Sequence, residues 1–312
     1  MEIKTKFPPD FYKEEAKTFV VSPETKRLWA VLLDLLLEFD RVCRKNGIKY
    51  MIDGGTLLGA ARHGGFIPWD DDIDVIMLRE EFEKLNKIAP TEFTAPHFWQ
   101  TNERDPDHGR GYARLRNSST TFIPNYDVIG GKRVFRHNQG VPLDVFVCDN
   151  VPDRVDERAL FMKRIEHLRM RSMALRRSGH APWSRSLLAQ PIEFARKIEY
   201  LVFTALSGES FSQRLVKRLD AEVRRYNGMA TENVSHLTFN ADERARNCYI
   251  FPRKFIEELT EVEFAGYKFP ATRHWDEYLT GFYGNWHRHV VGANSHGSAF
   301  IDLDKPYTEY LK

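Results

Sequence analysis

The chain has 312 residues, of which 42% are hydrophobic and 29% charged, a composition typical of a globular protein and not of a disordered one. Its formal net charge of +2 argues against a general affinity for polyanions, including nucleic acids. Cys43, Cys148 and Cys248 are far apart, which excludes a disulfide framework or a zinc motif and suits a reducing compartment. Because the sequence shows no signal peptide and no apolar run of roughly 20 residues, we expect a cytoplasmic protein.

The first predicted element is a long amphipathic helix that follows a polar arm at residues 1–22. Ser22 and Pro23 are typical of a helix start, with serine as the cap and proline in the first turn. Apolar residues then recur at helical spacing as far as Val42, and Gly47 is suited to end the helix. We interpret this helix as part of the core.

A glycine-led turn follows the short apolar strand predicted at residues 48–52. Gly54 and Gly55 allow the backbone to adopt a positive φ or to approach a ligand closely. Thr56 is expected to cap the next helix, and the N-terminus of such a helix attracts anions. The turn alone is a weak signal, but it lies only about fifteen residues before an acidic segment.

A cationic pair, Arg62 and His63, ends this second helix. Arg62 could clamp a phosphate group, and His63 could donate a hydrogen bond to one. Cations are also common at helix C-termini for reasons unrelated to ligands. Both interpretations stay open on the sequence.

Three carboxylates alternate in the segment that comes next, WDDDIDV. In a strand, Asp70, Asp72 and Asp74 would share one face, while Asp71 and Ile73 would point the other way. Three like charges on one face repel one another unless a cation lies between them. Mg²⁺ or Mn²⁺ binds carboxylate oxygens and keeps positions open for substrate phosphates. The segment therefore predicts a metal site for phosphoryl chemistry, with a solvated acidic turn as the alternative.

Two later strands carry further candidates. The strand predicted at residues 112–122 contains Arg114, which could meet a phosphate. The strand predicted at residues 141–147 is apolar except for Asp144. Since a lone carboxylate in such a strand is costly unless it is paired or metal-bound, Asp144 is a candidate third ligand. A hydrogen-bonded structural aspartate is the alternative.

Residues 154–228 differ in charge from the rest of the chain. They contain 16 Lys/Arg and 8 Asp/Glu, a net charge of +8, which leaves −6 for the remaining residues. The pattern predicts two or three helices, which we interpret as a helical subdomain with a solvated basic face. The alternative is peripheral contact with the inner face of an anionic membrane or with a polyanionic acceptor. After a hairpin and a further helix, residues 291–312 are predicted to form a peripheral tail.

The segment from Asp53 to Asp74, DGGTLLGAARHGGFIPWDDDID, closely resembles the hallmark block of the LicD/fukutin family. Three later segments resemble other blocks of that family: RLRNSSTT, HNQGVPLDVFVCDNVPD and FAGYKFPATRHWDEYLTGFYGNW. Together they cover about residues 25–290. The departures from the family pattern are mild, and none touches the acidic segment.

The resemblance implies a catalytic domain at residues 23–290 with an α+β, nucleotidyltransferase-like fold, in which helices flank a mixed sheet and residues 154–228 form a basic helical insertion. It also implies an Mg²⁺-dependent reaction. A phospho-alcohol such as phosphocholine or ribitol phosphate would move from a CDP-linked donor to a hydroxyl of a glycan or glycolipid, and CMP would leave. Lipopolysaccharide, teichoic acid and glycoprotein glycans are the acceptor classes that the family suggests.

The same resemblance assigns roles to the candidate residues. Asp144 or Asp70 would take the proton of the acceptor hydroxyl, and the sequence does not separate them. A conventional nucleotidyltransferase that releases pyrophosphate and an inactive glycan- or membrane-binding scaffold remain as alternatives. The catalytic set would be Asp72, Asp74 and Asp144; the metal would be held by these three together with Asp70; and the donor would contact Asp53, Gly54, Gly55, Thr56, Arg62, His63 and Arg114.

Overall fold

The computed structural model describes residues 20–129, 132–133, 137–180, 191–207, 211–236, 249–288 and 299–310. In these residues a mixed sheet is flanked by helices, so the predicted α+β class is confirmed. The predicted arm at residues 1–22 lies almost entirely outside the described residues. Among the described helices, none is both long and apolar enough to cross a membrane.

The elements follow one another in an irregular mixture of helices and strands. The helices are α1 Pro23–Lys45, α2 Gly54–His63, α3 Arg79–Glu92, α4 Val155–His180, α5 Pro191–Ser207, α6 Phe211–Val223, α7 Lys254–Glu257 and α8 Trp275–Tyr283. The strands are β1 Met51–Ile52, β2 Asp74–Leu78, β3 His97–Gln100, β4 Ala113–Asn117, β5 Thr121–Ile123, β6 Val128–Ile129, β7 Lys132–Arg133, β8 Val141–Asn150, β9 Asn233–Ser235, β10 Ile250–Pro252, β11 Leu259–Phe264, β12 Tyr267–Thr272 and β13 Phe300–Asp302.

The main sheet has β8 at its centre. Its strand order is β1-β2-β8-β4-β3, and β9 joins the far end of β8 and pairs with β10. Only β2 and β8 run parallel; the other neighbours are antiparallel. Every residue of β8 is buried, which explains why its sequence is an almost unbroken apolar run. The parallel register of β2 and β8 places Asp74, the first residue of β2, beside Asp144, the fourth residue of β8.

Helix α1 covers this sheet and begins as the sequence predicts. The Ser22 hydroxyl accepts a hydrogen bond from the Thr25 amide at 3.1 Å, and Pro23 occupies the first turn. The apolar positions of α1 are buried against β8 and β4. The chain turns away after Lys45, where Gly47 has a φ of +63°.

The helical insertion has a hydrophobic core of its own. Helix α4 packs against both α5 and α6, and it shares a small buried cluster with α6. This cluster consists of Val151, Phe161, Ile165, Leu219 and Val223. The insertion is thus a packed subdomain joined to the main sheet through the end of β8.

Three local predictions differ from the structure. The strand predicted at residues 112–122 is divided into β4 and β5, because the Asn117 side chain accepts hydrogen bonds from Ser119 and stabilises a turn. The second helix starts at Gly54 with Asp53 as its N-cap, three residues earlier than the predicted cap at Thr56. In the acidic segment the strand begins only at Asp74.

The C-terminal residues are joined to the main body of the protein. Strand β13 pairs antiparallel with β5, with Phe300 opposite Ile123. Arg27 of α1 forms an exposed ion pair with Asp304 at 2.7 Å. Described residues 299–310 therefore pack on the catalytic-domain region predicted from the sequence.

Candidate active site

The site is built where β2 begins, beside the parallel strand β8. Asp74 is the first residue of β2, and Asp144 is its direct partner on β8. Directly paired residues of neighbouring strands present their side chains on the same face of a sheet. The backbone amide of Asp74 donates to the Thr56 hydroxyl at 2.9 Å, so the side chain of Thr56 ties α2 to the acidic strand.

The glycine turn lies directly against the acids. Gly54 has a φ of +52°, which glycine adopts without strain. A Cβ atom added to Gly54 would lie 3.1 Å from Asp74 Oδ2, and one added to Gly55 would lie only 2.5 Å from Asp70 Oδ2. A side chain at position 55 would therefore displace the Asp70 carboxylate, so this position requires glycine for the close approach.

The three consecutive aspartates gather instead of alternating. Carboxylate oxygens of Asp70, Asp71 and Asp72 lie within 4.8 Å of one another. Because this segment precedes β2 and is not a strand, the two-residue alternation expected for Asp71 does not hold, and the prediction that it points away is wrong. The segment is anchored by Trp29, whose indole Nε1 donates to the backbone oxygen of Asp70 at 2.8 Å.

The acids perturb one another strongly. Burial holds the pKa of Asp74 well above its usual value, and the charges of Asp72 and Asp144 add to the effect. Burial, together with the charge of Asp72 and a hydrogen bond between the two side chains, raises the pKa of Asp70 to about 9. Crowded, partly buried carboxylates of this kind provide the oxygen donors that Mg²⁺ and Mn²⁺ prefer. The donor set therefore fits such an ion, and the metal assignment remains a prediction.

Asp144 has a second neighbour that sequence reasoning did not connect to it. Arg114 pairs with Asp144 across β4 and β8, and its Nε and Nη2 donate to Asp144 Oδ1 at 2.6 Å and Oδ2 at 3.0 Å. Arg114 Nη2 also donates to the Tyr112 hydroxyl at 3.1 Å. Arg114 was predicted to clamp a phosphate, but in this structure its guanidinium holds the Asp144 carboxylate. Each carboxylate oxygen keeps a second lone pair, so Asp144 remains a candidate ligand.

Asp53 is buried behind the site and accepts a hydrogen bond of 2.6 Å from the Tyr278 hydroxyl of α8. Burial raises the pKa of Asp53, and the hydrogen bonds from Tyr278 and from the Gly54 amide act against that rise. Its predicted donor contact stays a prediction. Tyr283 lies one and a half turns further along α8. Its ring is partly exposed, but burial of the hydroxyl and the charges of Asp53 and Asp74 raise the pKa of that hydroxyl.

Sequence reasoning assigned no role to Tyr278 or Tyr283. Both lie in the segment YLTGFYGNW, which resembles the family as a whole segment without assigning a role to any single residue in it. Tyrosines five residues apart on one short helix were the available signal, but nothing in the spacing said that α8 would reach Asp53, more than 200 residues earlier in the chain.

Arg62 lies at the end of α2, on the side of Tyr283. Its Nη1 is 3.4 Å from the backbone oxygen of Trp286, which is at best a weak hydrogen bond. Nε and Nη2 of Arg62 are buried without a hydrogen bond to any described residue, and burial lowers the pKa of the guanidinium. A partly buried guanidinium with two donors that meet no described residue is suited to an anionic ligand. His63 follows it and is half-buried.

Comparisons with known proteins can now be set beside this geometry. Residues 47–128 match the family profile described as LicD/FKTN/FKRP, nucleotidyltransferase domain. Over 258 residues, which are 82% of this chain and 88% of the relative, the sequence is 26% identical to lipopolysaccharide cholinephosphotransferase LicD of Haemophilus influenzae. Two further matches are shorter. An uncharacterized protein of Rickettsia prowazekii is 46% identical over 59 residues, 19% of this chain and 22% of the relative. Human ribitol 5-phosphate transferase FKRP is 44% identical over 46 residues, 15% of this chain and 9% of the relative.

Proposed function

Since residues 47–128 of this chain are a LicD-family nucleotidyltransferase domain, we propose that the protein transfers a phospho-alcohol from a CDP-linked donor to a hydroxyl group of a glycan, with release of CMP. Two relatives support the reaction class. LicD is named a lipopolysaccharide cholinephosphotransferase, and FKRP a ribitol 5-phosphate transferase. The acceptor in this proposal is a glycan or glycolipid.

The observation that carries the proposal is the acidic cluster against the glycine turn. Asp72 and Asp74 would hold the metal ion, with Asp70 and Asp144 beside them. When bound, Mg²⁺ would neutralise negative charge on the donor diphosphate as the transferred phosphoryl group leaves. Gly54 and Gly55 carry no side chains, so the first backbone positions of α2 lie directly beside the Asp74 and Asp70 carboxylates. The N-terminus of a helix favours a phosphate, which a metal ion held by these carboxylates would also attract.

The donor would be oriented by groups at both ends of α2. The backbone of Gly54 and Gly55 and the hydroxyl of Thr56 lie next to the acids, where a phosphate oxygen would be bound. The unused donors of Arg62 suit the same diphosphate from the side of α8. Phosphoryl transfer depends mainly on positioning and electrostatic stabilisation, so the proposal requires no nucleophilic side chain.

The acceptor hydroxyl must lose a proton during the reaction. Both oxygens of Asp144 already accept hydrogen bonds from Arg114, which makes that carboxylate the weaker base. The geometry therefore favours Asp70 for this role. Asp144 would instead fix the position of Asp74 through the pairing of β2 with β8.

A thermal-shift screen tests the donor class. The protein is heated with Mg²⁺ and, in separate samples, CDP-choline, CDP-ribitol, CDP-glycerol or CTP, because a ligand that binds only the folded state raises the melting temperature. We expect a shift with one CDP-alcohol that exceeds the shift with CTP and requires the divalent ion. A larger shift with CTP than with every CDP-alcohol would favour the conventional nucleotidyltransferase instead.

A further inference from the structure

Helix α5 of the insertion carries its apolar side on the outside of the protein. Five exposed residues recur at intervals of three or four and define what we call the outer face of α5: Ile192, Ala195, Ile198, Val202 and Leu206. Leu206 is 81% exposed, Ile192 65% and Val202 47%. This is the reverse of an ordinary surface helix, whose apolar stripe faces the core.

The orientation of α5 is fixed by what lies on its other side. Lys197 is buried there, and the Tyr200 ring packs so closely on α4 that a Cβ atom added to Gly179 would lie 2.5 Å from it. Arg171 of α4 forms an ion pair of 2.9 Å with Glu199, the acid at the edge of the outer face. These contacts hold the outer face of α5 away from the protein and neutralise its neighbouring negative charge.

The charge of the subdomain favours one kind of partner. Residues 154–228 carry a net charge of +8, and Arg196 is an exposed cation on α5 itself. Further exposed cations of α4 and α6 are Lys163, Arg164, Arg177 and Arg218. Two copies of the subdomain meeting through this face would bring two such charges together, which opposes association. A partner surface that is apolar at its centre and negatively charged around it would bury the apolar residues of the outer face and attract the positive charge of the subdomain.

We propose that the outer face of α5 docks on the surface of an anionic lipid bilayer. The helix would lie in the plane of the interface, with its five apolar side chains among the upper acyl chains and the neighbouring cations among the lipid headgroups. Since binding requires neither donor nor metal, the inference does not depend on the proposed reaction.

Vesicle flotation of the full-length protein tests the docking. We expect the protein to float with phosphatidylcholine vesicles that contain one third phosphatidylglycerol, to float poorly with pure phosphatidylcholine, and to bind less at high salt. Ile198→Asp combined with Val202→Asp should lower the fraction bound about tenfold or more, because two apolar contacts become anionic. Met229→Asp, which changes an exposed apolar residue outside the insertion's helices, is the matched control and should bind like the wild type.

The substituted positions are exposed, so the variants should keep the wild-type melting curve by circular dichroism. If the wild type does not float, or if the folded double variant floats as well as the wild type, the docking inference is overturned. Light scattering adds one more outcome. A dimer that the double variant dissociates, with no vesicle binding, would assign the face to a second copy of the chain and would also overturn the inference.

A site-specific label identifies the face that touches lipid. Cys43 and Cys148 are buried, so a Leu206→Cys variant in which Cys248 is replaced by serine can carry one environment-sensitive fluorophore. Brominated anionic lipids should quench this label, whereas the same label at Met229→Cys should remain unquenched. Flotation without quenching at position 206 would show that another surface binds the vesicles, and it would contradict the proposal.

Discussion

At the scale of single residues, the site depends on how closely backbone and carboxylates approach one another. The sequence predicted that acids and glycines would meet, because both lie in one short block. It did not predict the crowding of Asp71 with Asp70 and Asp72, since the alternation rule holds only inside a strand and β2 starts at Asp74. The residue types therefore predicted that acids and glycines would meet, whereas strand alternation did not predict the orientation of the Asp71 side chain.

The contact between Gly55 and Asp70 gives a direct test. Gly55→Ala should displace the Asp70 carboxylate, because the new Cβ would lie 2.5 Å from Oδ2, and we expect transfer activity to fall by about 100-fold, the scale of a misplaced catalytic group. Steady-state kinetics on the purified variant measures this.

The matched control for that variant is Gly281→Ala in α8, where an added Cβ meets no atom within 4 Å. This change should leave activity unaltered and stabilise the helix by up to about 1 kcal/mol. Equal activity of Gly55→Ala and the wild type would show that the position of Asp70 is unimportant.

At the scale of elements, β4, β8 and β2 place Arg114, Asp144 and Asp74 in one row across the sheet. Each strand was predicted approximately from its own apolar pattern. Their order in the sheet was not, because the pairing of residues 30 and 70 positions apart depends on tertiary packing. The resemblance to the LicD/fukutin family, which the match of residues 47–128 supports for the region of Asp74, indicated that Asp144 belongs to the same site. It did not indicate the ion pair of Asp144 with Arg114.

Because of this ion pair, we expect Arg114→Gln alone to destabilise the protein more than Arg114→Gln combined with Asp144→Asn. Arg114→Gln should lower the free energy of unfolding by about 3–5 kcal/mol, because it removes the guanidinium that neutralises a buried carboxylate. Adding Asp144→Asn should recover part of that loss, since the buried negative charge is removed. Urea denaturation of both single variants and the double variant measures the coupling.

The exposed pair of Arg27 and Asp304 serves as the reference for this cycle. Arg27→Gln should cost less than about 1 kcal/mol, as is usual for surface ion pairs. Additive effects of Arg114→Gln and Asp144→Asn would mean that the two side chains do not stabilise each other in solution.

At the scale of the whole molecule, two hydrophobic cores are joined by β8 and its extension through β9. Composition and periodicity predicted the core helices, the hairpin and the helical insertion. The packing of described residues 299–310 on β5 and the outward apolar face of α5 were not predicted, because periodicity identifies an amphipathic helix without saying which side meets the protein.

Burial of His236 makes the stability of the folded protein depend on pH. Burial lowers the pKa of His236 from 6.5 to about 3, so on acidification the unfolded chain takes up this proton before the folded protein does. Above pH 6.5 the neutral His236 ring makes its full contribution to the stability of the folded protein. This contribution is lost as the pH falls from 6.5 toward 3. At pH 4 the loss amounts to about 3 kcal/mol.

The variant His236→Gln does not titrate and should lose about 3 kcal/mol less stability than the wild type between pH 7 and pH 4. Exposed His167→Gln should follow the wild-type curve, as measured by denaturant unfolding at each pH. Parallel curves for His236→Gln and the wild type would mean that His236 is protonated in the folded protein at pH 4.

The central claim is that the acids around Asp74 support transfer of a phospho-alcohol. The most direct measurement is chromatography of the nucleotide formed when the protein, Mg²⁺, the CDP-alcohol selected by thermal shift and a glycolipid extract react together. We expect CMP in equal amount to the phospho-alcohol incorporated, a loss of activity of about 100-fold or more in Asp74→Asn, and normal turnover in the surface variant Asp156→Asn. Pyrophosphate as the product with CTP, or full activity of Asp74→Asn, would contradict it.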